Sequence, residues 1–356
     1  MLEFIQSIKK HRKDVNGRLR QLFHEKQKQA DPELKPTYKR LERYTMSGGK
    51  RLRAYLVNMG AAFVDKEISK KNLLDLGASL ELGHTGILVH DDIIDRDLLR
   101  RGEPTLHIAS QDWRNDTKRP KKQLGYLNAM TCGNILGAWA NEILMNTDLT
   151  DSRKLLLLEV ATRTGLLTAQ GEVYDIQLGA GKRPDLDWTE LLAIQQLKTA
   201  PYSFEGPLVF GALAAGGSKA AFEALAEYSN LVGSAFQLQD DILGIQGNKG
   251  NQKIGKTPAA DLREGKLTPL IKIAMQESGQ AGKKKLTQLL EKPSRNSADI
   301  NQMKRVIENS NAYDIVADVA GKKVKLAEKW TRQNITDQET RALFTAVARF
   351  VLNRKF

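Results

Sequence analysis

His90-Asp91-Asp92-Ile93-Ile94-Asp95-Arg96-Asp97 closes an apolar run that extends from Leu80 to Val89. The run reads as buried helix, and four carboxylates in the seven positions from 91 to 97 end it. Side chains four apart on a helix lie one above the other, about 5–6 Å between β-carbons. Asp91 and Asp95 therefore point the same way, and Asp92 is turned off that line. Two like charges so close repel unless a cation lies between them. A hard, oxygen-seeking ion such as Mg²⁺ suits them, because it keeps waters or phosphate oxygens in its remaining positions. A solvated acidic helix end is the plain alternative. Acidic residues favour the first turn of a helix, however, and these sit in the last.

Phe236-Gln237-Leu238-Gln239-Asp240-Asp241-Ile242-Leu243-Gly244 repeats the arrangement after a second apolar stretch, Ala220 to Phe236. Two acidic pairs, each following a hydrophobic helix, suggest opposing rims of one cavity. Carboxylates facing each other across a pocket can hold several Mg²⁺ ions on one diphosphate.

Outward from these clusters the chain reads helix after helix. Residues 1–30 are amphipathic, with Phe4, Ile5, Ile8, Val15, Leu19, Leu22 and Phe23 at helical spacing. A break at Asp31-Pro32 precedes a short helix to Tyr44. Ser47-Gly48-Gly49 signals a turn, and Lys50 opens a helix to about Phe63. Asn72 to Leu99 is the long helix of the first acidic cluster, and Arg100 to Gln123 is a polar loop. Leu124–Met145, Ser152–Leu178, Trp188–Ala215 and Lys219–Ile245 are further helices. Gly247 to Gly265 is a loop rich in glycine and lysine, and shorter helices follow to Phe356. With no convincing strand, repeat or long linker, the expectation is one all-α domain spanning residues 1–356.

Composition agrees. Of 356 residues, 41% are hydrophobic and 27% charged, the balance of an ordinary globular chain. No apolar run reaches the ~18–20 residues that span a bilayer. No basic segment followed by an apolar one opens the chain, so no signal peptide is expected. The single Cys132 excludes an internal disulfide and fits a reducing cytoplasm. The net charge of +13 is scattered in short groups such as Lys9–Lys13 and Lys283–Lys285. A nucleic-acid binder would gather its charge on one face with aromatics between. Anionic substrates or acidic lipid surfaces would use the same field.

The remaining basic residues border the acidic clusters. Lys50 and Arg53 lie three apart at an expected helix N-terminus, where backbone N–H groups favour an anion. His84, seven before Asp91, shares its helix face. Arg100 and Arg101 follow the first cluster. Pro201 should kink the helix around Lys198 and aim Lys198 and Thr199 into a cavity. Lys256 and Lys266 flank Asp261-Leu262-Arg263-Glu264-Gly265.

These motifs, in this order, resemble those of the trans-isoprenyl diphosphate synthases, or polyprenyl synthetases, and the geranylgeranyl diphosphate synthases among them. The resemblance runs from Gly48 nearly to Phe356 and is carried by residues 48–53, 90–95, 100–105, 198–199, 236–241 and 255–266. It implies an all-helical bundle around a deep central cavity, a homodimer, and contact with membranes through a lipophilic product. It also implies a cytoplasmic prenyltransferase of isoprenoid biosynthesis that condenses isopentenyl diphosphate with an allylic diphosphate. Asp91, Asp95 and Asp240 would bind Mg²⁺, about three ions per active site. Arg100, Lys198, Gln237, Lys256 and Lys266 would hold the allylic diphosphate. Lys50, Arg53, His84 and Arg101 would hold isopentenyl diphosphate. The Thr199 hydroxyl would stabilise the carbocation, and released diphosphate would take the final proton. A class I terpene cyclase and a silent subunit of a heteromeric synthase are the rival readings. The first has no need of Lys50, Arg53 and Arg101, and the second usually loses metal-binding aspartates.

The chain departs from the family pattern at three places. Gly244 stands where a third aspartate is common, Glu172 where glutamine is usual, and Asn134 where aspartate is common. No aromatic residue stands at Leu80, Gly83, Gly86 or Ile87, upstream of Asp91, to block a growing tail. A product of geranylgeranyl length or longer is expected, and Gly86→Phe should shorten it. The helix with Met130, Ile135, Trp139 and Leu144 could supply a floor.

Overall fold

The computed structural model describes residues 2–112, 119–180, 185–246 and 259–353. In chain order the elements are α1 (Leu2–Gln29), α2 (Lys35–Met46), α3 (Leu52–Val64), α4 (Lys70–Ile94), β1 (Leu99–Arg100), β2 (Glu103–Pro104), α5 (Leu106–Ala109), α6 (Lys121–Met145), α7 (Asp151–Gly179), α8 (Trp188–Ala200), α9 (Gly206–Ala214), α10 (Lys219–Gln246), α11 (Ala260–Glu264), α12 (Pro269–Glu277), α13 (Gly279–Leu290), α14 (Ser297–Glu308), α15 (Ala312–Asn334) and α16 (Gln338–Asn353). The expected all-α class holds. Among the described residues the strands amount to one antiparallel hairpin, in register Leu99↔Pro104 and Arg100↔Glu103.

Local chemistry sets the boundaries. Ser69 caps α4 by accepting from Asn72 N–H at 3.2 Å. Asp187 and Glu190 form a capping box at α8, and Asn296 and Asp299 another at α14. The helix expected over 188–215 is divided. Pro201 offers no N–H to the carbonyl four residues back, and Pro201–Glu205 widen into a π-helical turn in which Gly206 N–H donates to Pro201 O. The first acidic helix ends at Ile94 rather than Leu99, because Asp95 N–H closes the last turn on Asp91 O at 2.8 Å. The region expected as a polar loop after it holds the hairpin and α5.

The chain divides into two compact units, residues 1–160 with 207–222 and residues 161–206 with 223–356. In the first, α4 packs most extensively on α6. Leu82, Val89, Leu136 and Trp139 join Val15, Leu19 and Phe23 of α1 in one buried core. Trp139 meets Phe23 and Tyr38 edge to face, with centroids at 5.8 and 4.8 Å. In the second, Tyr228, Trp330 and Phe344 cluster, and the Tyr228 hydroxyl donates to Phe344 O at 2.6 Å.

Candidate active site

In the first unit the acidic cluster sits at the C-terminal end of α4. The helix dipole disfavours negative charge there, so an answering cation is needed. Arg100 supplies it from the hairpin. Its guanidinium meets Asp92 at 2.5 Å, Asp91 at 3.3 Å and Asp97 at 3.8 Å. Asp92 is 1% exposed and also accepts from the Tyr44 hydroxyl. Burial pushes the Asp92 carboxyl up, and Arg100 and Tyr44 oppose that shift. Asp92 therefore works inward, holding Arg100, while Asp91 and the partly exposed Asp95 share the outer line.

The hairpin turn is built for its neighbours. Arg101 (φ 54°) and Gly102 (φ 80°) both have positive φ, as a type I′ turn demands. A non-glycine residue there is strained by about 1–3 kcal/mol, a cost typical of functional sites. The Arg101 side chain lies across Gly48 and Gly49. A β-carbon on Gly49 would stand 3.2 Å from both terminal guanidinium nitrogens, and one on Gly48 would stand 3.2 Å from Arg101 Cδ. Both glycines have positive φ, 126° and 94°, so the motif gives the turn and the seat together.

His84 lies among these cations. Burial first, then the charges of Arg53, Arg101, Arg100 and Arg51, push its pKa well below the ordinary histidine value. Its imidazole is neutral at neutral pH. Burial, then Arg51 and Arg100, also lowers the Arg101 pKa. The first unit thus brings Arg53 and Arg101 near His84.

Two expectations for this loop need correction. Lys50 is exposed and precedes α3, which begins at Leu52, so Lys50 and Arg53 share no helical face. At the α3 N-terminus, moreover, one backbone N–H is already taken by a carboxylate of this chain. Glu81 of α4, 3% exposed, accepts from Ala54 N–H at 3.4 Å and pairs with Arg51 at 3.2 Å. Arg51 (φ 54°) is 4% exposed and also donates to Asn16 Oδ1 and Thr45 O, at 2.9 and 2.7 Å. It braces the loop.

The ruler residues need correction too. Gly86 does not face open space. A β-carbon there would lie 2.9 Å from Gly133 O and 3.5 Å from Leu136 Cβ, so Gly86 is the point where α4 meets α6. Leu80, His84, Ile87 and Leu88 are partly exposed. Leu80 and Ile87, seven apart, share the Asp91 face. Trp139 belongs to the core with Phe23 and Tyr38.

In the second unit, α7 and α8 touch at Gly171, where a β-carbon would collide with the Lys198 backbone. That closeness puts Glu172 Oε2 and Asp175 Oδ2 at 2.7 and 3.0 Å from Lys198 Nζ. Lys266 Nζ meets Asp175 and Glu264, each at 3.1 Å. Burial pushes Asp175 up, but the two ammonium groups outweigh it and hold the carboxyl below its usual range. Thr199, on the other side of α8, donates to Gln237 Oε1 at 2.9 Å, and Gln237 Nε2 donates to Asp241 Oδ1 at 3.2 Å. The expected kink therefore aims Lys198 and Thr199 differently, Lys198 at α7 and Thr199 at α10. Lys256 lies outside the described residues.

Asp240 is partly exposed and Asp241 is 2% exposed. Burial, then Asp261 and Asp240, push the Asp241 carboxyl well above its usual range. Among the described residues Asp241 Oδ2 is buried with no hydrogen-bond partner. Gly244 leaves room that Asp261 borders, its Oδ2 3.6 Å from the β-carbon position. Among the described residues no three acidic, histidine or cysteine side chains converge to hold an ion alone. Mg²⁺ asks for less, one or two carboxylates with substrate phosphates and water. Asp91 with Asp95, and Asp240 beside the orphaned buried oxygen of Asp241, fit that demand.

Sequence reasoning missed Tyr44, Glu81, Arg51, Asp175 and the pairing role of Glu172. Glu172 and Asp175, three apart on a helix, carried a usable signal. Tyr44 and Asp92 are far apart in sequence, and no local pattern joins them.

Each unit therefore sets carboxylates at a helix end or flank among arginines or lysines, the equipment of a protein that handles metal-bound polyanions. Residues 35–307 match the family model for polyprenyl synthetase, and the chain belongs to that family. It is 28% identical over 313 residues to the geranylfarnesyl diphosphate synthase of Aeropyrum pernix, covering 86% of this chain and 91% of that one. It is 28% identical over 307 residues to the geranylgeranyl diphosphate synthase of Sulfolobus acidocaldarius, covering 80% and 87%. Among solved structures it is similar to the geranylgeranyl pyrophosphate synthase of Corynebacterium glutamicum, complexed with isoprenyl diphosphate and magnesium. There the TM-score is 0.87, with 26% identity and coverage of 97% and 99%. Among the described residues no helix is long and apolar enough to cross a membrane.

Proposed function

We propose that the chain is a Mg²⁺-dependent trans-prenyltransferase that joins isopentenyl diphosphate to an allylic diphosphate and releases an all-trans product of geranylgeranyl length or longer. The observation that carries the reading is a division of labour. Arg53 and Arg101 act on His84 in one unit, with Arg101 lying across Gly48 and Gly49, and Lys198 and Lys266 gather on Asp175 in the other. A condensation of two diphosphates needs two anion sites, and a cyclase needs one.

In this reading the first group holds isopentenyl diphosphate. Neutral His84 contributes a hydrogen bond rather than a charge. Arg100, Lys198, Lys266 and Gln237 hold the allylic diphosphate, together with Lys256. Asp91, Asp95 and Asp240 would hold Mg²⁺, and bound ions would supply positive charge to a departing diphosphate. Asp92 and Tyr44 keep Arg100 aimed before substrate arrives, so little reorganisation is needed at the reaction. The Thr199 hydroxyl, oriented by Gln237, offers its oxygen lone pair to the developing allylic cation. Leu80, Ile87 and Leu88 exclude water from the tail. A single catalytic domain, a homodimer, a cytoplasmic location and contact with membranes through the lipophilic product belong to the same reading.

The test is incubation of purified protein with Mg²⁺, labelled isopentenyl diphosphate and each allylic primer, with products sized by chromatography. Consumption of isopentenyl diphosphate into longer diphosphates is expected. A cyclised hydrocarbon formed from the primer alone would replace this reading with a cyclase.

A further inference from the structure

Asn16 stands in the middle of α1, where asparagine is a poor helix former because its side chain competes for backbone groups. Its place there has a tertiary reason. Asn16 Oδ1 accepts from Arg51 Nε at 2.9 Å. The other two guanidinium nitrogens donate to Glu81 Oε2 at 3.2 Å and to Thr45 O at 2.7 Å. Acceptors from α1, α2 and α4 thus fix one guanidinium that is 4% exposed. Arg51 has φ 54°, a left-handed conformation that a non-glycine residue keeps only where its surroundings hold it. It lies between Lys50 and Arg53, directly after the two glycines that Arg101 crosses. Other contacts tie α1 to the first unit without involving Arg51. Ser7 Oγ and the Tyr55 hydroxyl are 2.7 Å apart, and Arg18 meets Asp75 at 2.5 Å. All of α1 lies outside residues 35–307, the span of the family match.

We propose that Asn16 is a positioning residue for isopentenyl diphosphate, holding residues 48–53 through Arg51 in the conformation that receives the substrate. This rests on the reading of Lys50, Arg53, His84 and Arg101 as ligands of isopentenyl diphosphate. Without the Asn16 acceptor, the Nε of a buried guanidinium loses its partner, and the left-handed backbone at Arg51 keeps two of the three contacts that fix it. The fraction of molecules with the loop in place falls, and the apparent affinity falls with it. Lys198, Lys266 and Gln237, assigned to the allylic diphosphate, take no part in this network. The effect therefore belongs to one substrate, and α1 is part of the architecture of its site.

The experiment is steady-state kinetics of the full chain in excess Mg²⁺, with each substrate varied in turn, beside a thermal melt of each variant. Asn16→Leu removes the acceptor, keeps much the same volume and improves local helix propensity. The KM for isopentenyl diphosphate should rise roughly two- to tenfold, the size of one net hydrogen bond, while the KM for allylic primer stays at the wild-type value. Asn16→Asp keeps an acceptor for Arg51 and should hold both KM values near wild type. Arg18→Met loosens α1 from α4 without touching Arg51. It should lower the melting temperature and leave both KM values alone. If Asn16→Leu does not fold, Asn16→Ser, whose oxygen lies one bond nearer the backbone, carries the same test. An isopentenyl diphosphate KM that is unchanged in the acceptor-removed variant, or raised as far by Asn16→Asp or by Arg18→Met, would overturn the proposal, because α1 would then be a general support. Wild-type protein that consumes no isopentenyl diphosphate would overturn the underlying assignment of the ligands, and this proposal with it.

Discussion

Two neighbouring substitutions on α4 should behave in opposite ways. Ile87 stands four residues before Asp91, about 6 Å along the helix axis, and Leu80 eleven before it, about 16 Å. Both are partly exposed on the Asp91 face. Ile87→Phe adds a ring where a growing tail would run, close to the metals. It should shift the product to farnesyl length with little loss of stability. Leu80→Phe, deeper, should trim longer products only. Gly86→Phe meets a different environment. Its β-carbon alone would stand 2.9 Å from Gly133 O, and the ring beyond it would be forced between α4 and α6. Overpacking of this kind costs about 1–3 kcal/mol and more when backbone must move. At about 2–4 °C per kcal/mol the melting temperature should fall by several degrees. The assay is product sizing by chromatography beside a thermal melt for each variant. A Gly86→Phe protein that melts like wild type yet makes shorter product would refute the packing argument. An Ile87→Phe protein with unchanged products would refute the placement of the tail.

Other outcomes follow from the same geometry. Tyr44→Phe removes the hydroxyl donor from buried Asp92 and should cost about 1–3 kcal/mol in denaturant unfolding, with a lower kcat as Arg100 loses its alignment. Glu81→Leu strands buried Arg51 and should cost about 3–5 kcal/mol, because a buried charge loses its partner. Glu81 also caps α3, so the KM for isopentenyl diphosphate should rise. His84 has a folded-state pKa well below 6.5. Below pH 6.5 the unfolded chain takes up a proton that folded His84 refuses, so this contribution to stability is complete above that pH and falls as the pH drops. Melts between pH 7 and pH 5 should show the decline, and His84→Gln should flatten it.

The class of fold was legible in the sequence, and so was the spacing of the acidic clusters, because both depend on local pattern. Apolar periodicity marks the long helices, and the spacing of Asp91 and Asp95 fixes a shared face whatever the tertiary structure does. Pro201 announced a disturbance, since a missing N–H acts locally, but not its form as a π-helical turn. The failures have a common cause. Gly86 reads as an open position when only α4 is considered, and it is α6 that fills the space. Lys50 and Arg53 read as a helical pair until Arg51 turns left-handed to reach Glu81. The pairing of Lys198 with Glu172 and Asp175 depends on Gly171 letting two helices touch. Contacts between elements distant in sequence decide all three.

The central claim is that Asp91, Asp95 and Asp240 serve the metal ions of one diphosphate. A crystal structure of the protein with Mg²⁺ and an unreactive thio-analogue of an allylic diphosphate tests it most directly. The account predicts ions ligated by Asp91 and Asp95 and by Asp240, all touching the same diphosphate. A diphosphate bound with its ions at one aspartate pair, and Asp240 ligating none of them, would contradict it.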